Sequence, residues 1–161
     1  MGFYESLHEE DSDAPEVLYM RRTGPYGAGN HALMETFKAW LKGHQLYGDD
    51  TVIMAIPLDN PCTTVAQECR YDVCVARAPG QVPAPSEGAG IRRLDVGRYA
   101  VFLIEHTVRA IQEAWAACFS ELKRLGYSPD FTRPVMERYA KRLVEQHRCE
   151  LCVPILDTSS V

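Results

Sequence analysis

The stretch 98–125, RYAVFLIEHTVRAIQEAWAACFSELKRL, predicts a strand followed directly by a helix, and this order decides the fold. Residues 98–106 are mostly apolar, aromatic and β-branched, which is typical of a strand. From residue 108 to 125, apolar side chains recur on one helical face, and Gly126 ends the helix. This face comprises Ile111, Trp115, Cys118, Phe119 and Leu122. The helix is therefore amphipathic and suited to covering a sheet.

The same order of elements occurs twice along the chain. In the second half, strands are predicted at 134–141 and 149–155 after the helix. In the first half, a strand at 16–23 precedes a helix at about 30–42, and strands follow at 51–57 and 70–76. Two pseudo-symmetric βαββ repeats predict an α+β fold, in which one antiparallel sheet is covered by two helices. The junction of such halves is a usual place for a ligand cleft.

The remaining segments are interpreted as tails and connections. We predict a flexible acidic tail over 1–15, a single domain over 16–156 and a frayed tail over 157–161. The stretch 78–90, rich in Gly and Pro, is expected to be a loop. Residues 91–94 and 98–106 are predicted to pair as a hairpin around 95–97.

Composition limits the possible partners. The net charge of −5 and the pI near 5.5 disfavour non-specific nucleic-acid binding and favour cationic ligands. No apolar run reaches the roughly 20 residues of a membrane span, and the start of the chain lacks the order of a signal peptide, so we predict a cytoplasmic protein. The six cysteines are expected to be reduced and structural, because the alternation of a strand places Cys149 and Cys152 on opposite faces. We predict no metal and no cofactor.

Glu137 is the first candidate for a functional side chain. In the strand at 134–141 it shares a face with Val135 and Tyr139, where burying a carboxylate is costly without a partner. The alternative is that Met136 and Arg138 face the core and Glu137 faces water. Spacing alone does not decide between the two orientations. Glu150 has the same ambiguity in its own strand.

At four places the chain resembles the GyrI-like small-molecule-binding superfamily, which includes DNA gyrase inhibitory proteins and the effector-binding domains of AraC-type and multidrug-sensing MerR-type regulators. The segments are TGPY at 23–26, LDNP at 58–61 with CRYD at 69–72, GRYAVF at 97–102 with Trp115, and ERY at 137–139 with ELCVPI at 150–155. Together they cover most of the chain.

The resemblance implies roles for particular residues. It favours the inward orientation of Glu137, whose charge would pair with cationic drugs or dyes. It implies that Tyr139, Glu150 and Cys152 line or support the pocket, and that Trp115 covers the ligand. Tyr71 and Tyr26 are further expected contributors.

Three functions remain open from the sequence. The first is a stand-alone binder that senses or sequesters a toxic compound, with DNA gyrase as a candidate target. The second is a metal-independent hydrolase of strained cyclopropane genotoxins, in which Glu137 orients water and Tyr139 stabilises the oxyanion. The third is a module that contacts gyrase or a regulator. The sequence does not distinguish a monomer from a dimer.

Overall fold

The protein has an α+β fold, described from a computed structural model over residues 2–76 and 88–157. The strands are β1 Ser6–Asp13, β2 Glu16–Thr23, β3 Val52–Pro57, β4 Arg70–Ala76, β5 Gly90–Arg93, β6 Val96–Glu105, β7 Met136–Ala140 and β8 Arg148–Ile155. The helices are α1 Ala28–Gly43, α2 Val108–Arg124 and the single turn α3 Lys141–Val144. The predicted loop over 78–90 lies largely outside the described residues, and so does the tail after Asp157.

The described strands form one antiparallel sheet in the order β1-β6-β8-β7-β3-β4-β2-β5. The predicted repeat is confirmed, because the sheet contains β7-β8-β6 on one side of its centre and β3-β4-β2 on the other. β7 and β3 pair with each other at the centre. In this pair Ala55 lies opposite Glu137, and Met54 lies opposite Arg138. The junction of the two halves therefore runs through the strand that carries Glu137.

The prediction of a flexible tail over 1–15 is wrong for residues 6–13. These residues form β1, which pairs along its whole length with β6. Three of their acidic side chains pair with arginines that are distant in sequence: Arg98 contacts Glu9 and Asp11, and Arg138 contacts Glu10. An acidic composition suggests disorder only when such partners are absent.

The predicted hairpin between 91–94 and 98–106 is also wrong. Both segments are strands, but β5 pairs with β2 at one edge of the sheet, whereas β6 pairs with β1 and β8 near the other edge. Each half therefore takes its outermost strand from the other half. This exchange is not visible in local sequence, because any short turn between two strands suggests a hairpin.

The exchange requires a strongly curved sheet. β1 and β2 are separated by five strands in the sheet order, which in a flat sheet would correspond to about 29 Å. They are joined only through Ala14 and Pro15, and three residue steps span at most about 11 Å. The two ends of the sheet must therefore approach each other.

The core is divided between the two faces of the sheet. On one face, α1 packs through Phe37 and Leu41 on the first half, and α2 packs through Cys118 and Leu122 on the second. On the other face, the curvature brings both halves into one apolar cluster. Its buried members are Val17, Met54, Ile56, Cys74, Leu94, Tyr99, Val101, Met136 and Cys152. The face that carries the helices is the one with room for a ligand.

Candidate ligand-binding site

A cleft with two lobes lies between the helices, above the junction of the two halves. We call the larger one, of about 820 Å³, the aromatic lobe; Tyr26, Leu58, Trp115, Phe119, Phe131 and Glu137 are among its lining residues. We call the smaller one, of about 460 Å³, the polar lobe; its lining includes His31, Met34, Lys38, His106, Tyr139 and Lys141. Tyr71 lines both lobes, so the two adjoin each other.

Glu137 lies where the lobes meet, and both of its carboxylate oxygens accept hydrogen bonds from neutral donors. The Trp115 indole Nε1–H donates to Oε2 over 2.6 Å, and the Tyr139 hydroxyl donates to Oε1 over 2.6 Å. Alternation along β7 produces this arrangement, since Glu137 and Tyr139 face the helices while Met136 packs in the cluster on the opposite face. Glu137 is half-buried rather than exposed to bulk water.

No Lys, Arg or His among residues 2–76 and 88–157 forms an ion pair with Glu137. Other carboxylates on this sheet do have such partners: Asp72, which is fully buried, pairs with Arg21 and Arg92, and Glu150 pairs with Arg138. A partly desolvated carboxylate that is oriented by two donors and lacks a counter-charge is suited to binding a cation.

The two tyrosines near Glu137, Tyr139 and Tyr71, remain protonated. Burial, followed by the negative charge of Glu137, raises the pKa of Tyr139 well above its ordinary value of 10. The same two causes raise the pKa of Tyr71. Because the protonated phenol is favoured so strongly, the hydrogen bond from Tyr139 to Glu137 is expected to persist at physiological pH.

Aromatic rings form the walls of the larger lobe. Tyr26 is fixed by its hydroxyl, which donates to the Arg70 carbonyl oxygen over 2.6 Å, and its ring lies 6.1 Å from that of Tyr71. Phe119 of α2 contacts Phe131, which is 70% exposed at the rim. Such rings suit the face of a planar or aryl-substituted cation. Arg133 also lines this lobe, but its charge is paired with Asp130.

Glu137, Tyr139, Trp115, Tyr71 and Tyr26, which the sequence suggested as site residues, all line the cleft. Their placement is established by the geometry; a role in ligand binding stays a prediction.

Glu150 and Cys152 do not line the cleft, so the expectation that they form part of its lining is wrong. Their side chains lie on the opposite face of the sheet, where Cys152 is fully buried and Glu150 pairs with Arg138. The register explains this, because Arg138 lies opposite Glu150 and Glu137 lies opposite Leu151. Directly paired residues share a face, so Glu150 cannot share a face with Glu137. Cys149 takes the face towards the helices instead.

Sequence reasoning missed the polar lobe. His106 follows β6 and its ring centroid lies 5.4 Å from that of Tyr139, while Lys38 comes from α1. Burial and then the positive charges of Lys38 and His147 lower the pKa of His106. No sequence spacing links residues 38, 106 and 141, and only the tertiary fold brings them to one cavity.

One group in the described residues has metal-like spacing, His8 with Glu10 and Glu150. Both carboxylates already accept hydrogen bonds from Arg138, and although burial opposes its charged form, these acidic partners raise its pKa and hold it charged. A fixed guanidinium at this position opposes a second cation. We therefore assign the group to ion pairing between β1, β7 and β8.

A curved sheet with two helices on one face and a cleft between them defines a ligand-binding domain. A family model described as the GyrI-like small molecule binding domain matches residues 7–156. The chain belongs to this GyrI-like family. No helix in the described part of the chain is long and apolar enough to cross a membrane.

Two relatives and one solved structure illustrate the similarity. The SPbeta prophage-derived protein YosT of Bacillus subtilis (strain 168), named as a candidate transcriptional regulator, is 38% identical over 86% of this chain and 91% of its own length. A DNA gyrase inhibitor of Citrobacter rodentium (strain ICC168) is 27% identical over 79% of this chain and 80% of its own. The structure of SAV2435 bound to tetraphenylphosphonium superposes with a TM-score of 0.61 at 12% identity, covering 97% of each chain, which shows a common fold.

Proposed function

We propose that this protein binds a lipophilic organic cation in the aromatic lobe, with Glu137 as the counter-charge. The observation that carries the proposal is the carboxylate itself: it is half-buried, held by two neutral donors and, among the described residues, without an ion-pair partner. The surrounding rings supply apolar area and cation–π contacts. The binding of tetraphenylphosphonium by SAV2435 supports this ligand class.

The test compares ligands of similar shape and different charge. Isothermal titration calorimetry would measure the dissociation constants of tetraphenylphosphonium, tetraphenylborate and neutral triphenylphosphine oxide with the wild type and Glu137→Gln. We expect the wild type to bind the phosphonium most tightly. Glu137→Gln should weaken phosphonium binding at least about tenfold, because the substitution removes the charge and keeps the shape.

Glu113→Gln is the matched control, since it also removes one negative charge but lies exposed on α2, paired with Arg109. An equal loss of affinity in both variants would assign the effect to net charge. Equal affinity for the phosphonium and the borate would refute the proposed cation site.

The biological role we infer is sensing or sequestration of such a compound, with DNA gyrase as the target to be tested first. The resemblance to a protein named DNA gyrase inhibitor supports this choice. A supercoiling assay with purified gyrase, with and without tetraphenylphosphonium, checks it. Unchanged supercoiling in both conditions would remove gyrase from the proposal and leave ligand binding intact.

The fate of the ligand distinguishes a hydrolase from a binding protein. A binder returns a strained cyclopropane electrophile unchanged, whereas a hydrolase that uses Glu137 and Tyr139 returns it with one water added. Mass spectrometry of the recovered compound distinguishes the two. Conversion that disappears in Glu137→Gln would replace binding by catalysis as the function of this cleft.

A further inference from the structure

The polar lobe has a chemistry that the proposed cation site does not use. It is bounded by α1, β3, β7 and α3, and its apolar floor includes Ile53 and Val144. It adjoins the aromatic lobe at Tyr71 and at the hydrogen bond between Tyr139 and Glu137. A ligand held at Glu137 can therefore extend into it.

An ammonium group and an imidazole ring face this lobe from two different parts of the chain. Lys38 extends from α1, with 36% of its side chain exposed, and His106 follows β6 on the other side of the lobe. Burial, followed by the positive charges of Lys38 and His147, lowers the pKa of His106 against the opposing charge of Glu137, so the ring is a neutral imidazole with one N–H to donate. Lys141 also lines the lobe, but it contacts both Asp49 and Glu145 and is neutralised by them.

Two carboxylates also line this lobe, but their charges are more strongly screened than that of Lys38. The side chains of Glu35 and Glu145 are 59% and 61% exposed, so water and salt screen their charges more than that of Lys38. The Glu35 carboxylate lies 3.9 Å from Lys38 Nζ, at the limit of an ion pair, and leaves the ammonium able to take another anion.

We propose that the polar lobe is an anion-accepting subsite centred on Lys38 and His106, so that the cleft selects zwitterionic ligands in which a carboxylate accompanies the lipophilic cation. This inference rests on the proposed cation site at Glu137. The cationic part pairs with Glu137, and the carboxylate lies beyond Tyr139 beside Lys38. Glu137 and Lys38 then form a pair of opposite charges that fixes the orientation of the ligand.

Two dyes that differ by one methyl ester test the subsite. Rhodamine 110 carries a xanthylium cation and a free benzoate, and rhodamine 123 is its methyl ester, with the same cation and no anion. Fluorescence anisotropy would give the dissociation constants of both dyes with the wild type, Lys38→Met and Glu137→Gln. Lys123→Met, exposed near the end of α2 and outside both lobes, is the matched control for loss of one positive charge.

We expect the wild type to bind rhodamine 110 more tightly than rhodamine 123. Lys38→Met should weaken the binding of rhodamine 110 about fivefold, as expected for a partly exposed ion pair, and leave the affinity for rhodamine 123 unchanged. Glu137→Gln should weaken both dyes, and Lys123→Met neither.

The outcomes separate the two proposals. If both dyes depend on Glu137 but Lys38→Met affects them equally, or affects neither, the anion subsite is wrong and the cation site stands. If Lys123→Met reproduces the effect of Lys38→Met, long-range charge explains the preference and the subsite is again wrong. If the wild type binds neither dye, the cation site at Glu137 fails and the subsite fails with it.

Discussion

At the residue scale, the site depends on which groups donate hydrogen bonds to one carboxylate. Glu137 has an aromatic donor on each oxygen, Trp115 from α2 and Tyr139 from its own strand. These bonds orient the carboxylate without neutralising it, whereas an arginine in their place would compete with a cationic ligand. On the same sheet, the fully buried Asp72 is paired with Arg21 and Arg92, which neutralise its charge inside the fold.

The role of the indole N–H is separable from that of the ring. Trp115→Phe removes the donor to Glu137 and keeps most of the packing, so we expect affinity for tetraphenylphosphonium to fall about tenfold, consistent with about 1.5 kcal/mol for a hydrogen bond to a charged group. Trp115→Ala should also lower the free energy of unfolding, by about 3 kcal/mol, because the ring packs against the core beneath α2. Calorimetry and urea unfolding measure the two effects. Normal affinity in Trp115→Phe would show that the hydrogen bond has no part in binding.

At the element scale, β1 is an edge strand held by charge as much as by its backbone ladder. Arg138, on the central strand β7, donates to both carboxylate oxygens of Glu10 over 2.9 and 2.7 Å. Near the start of β1, Tyr4 packs against Phe102, with 5.0 Å between their ring centroids. Charged side chains on an exposed edge also discourage pairing with other chains.

The ion pair between Glu10 and Arg138 predicts a pH dependence of stability. Hydrogen bonds from Arg138 are the largest cause that lowers the pKa of Glu10, from 4.5 to about 2. A lowered folded-state pKa contributes stability above the unfolded value of about 4.5, and this contribution is lost as the pH falls towards 2. Glu10→Gln should therefore be less stable than the wild type at pH 7, by about 1 kcal/mol or less because the side chain is partly exposed. Urea unfolding between pH 7 and pH 3 should show this difference shrinking, and a difference independent of pH would contradict it.

At the scale of the whole molecule, the exchanged edge strands join the two halves. β1 belongs to the first half in sequence and pairs with β6 of the second, while β5 returns to pair with β2. The cluster on the face opposite the helices also combines residues of both halves, such as Met54 and Cys152. Neither half can unfold without removing an edge strand and part of the core from the other.

This architecture predicts a single cooperative unfolding transition that ligand binding shifts. Calorimetric and van't Hoff enthalpies should agree. Tetraphenylphosphonium at about 100 times its dissociation constant should stabilise the native state by about 2.7 kcal/mol, or about 5–10 °C in Tm. Glu137→Gln should unfold in the same way but without this shift. Two resolved transitions would show that the halves unfold separately.

The sequence by itself determined the elements whose signals are local. The period of the apolar residues predicted α1 and α2, and the predicted strands at 16–23, 51–57 and 70–76 match β2, β3 and β4 nearly to the residue. Alternation also placed Glu137 and Tyr139 on one face of a strand, since side-chain direction follows from backbone geometry. The repeated order of these elements was sufficient to predict one antiparallel sheet covered by two helices with a cleft at the junction, but not β1 or the pairing of β5.

Only the tertiary structure decided which face meets the helices and which strands are neighbours. The register of β7 with β8 directed Glu150 and Cys152 away from the cleft, and distant arginines made an acidic N-terminal segment into an edge strand. Lys38 of α1 and His106, which follows β6, met in the polar lobe only because the two halves fold against each other. These outcomes depend on contacts between residues far apart in the chain, and local propensity carries no information about such contacts.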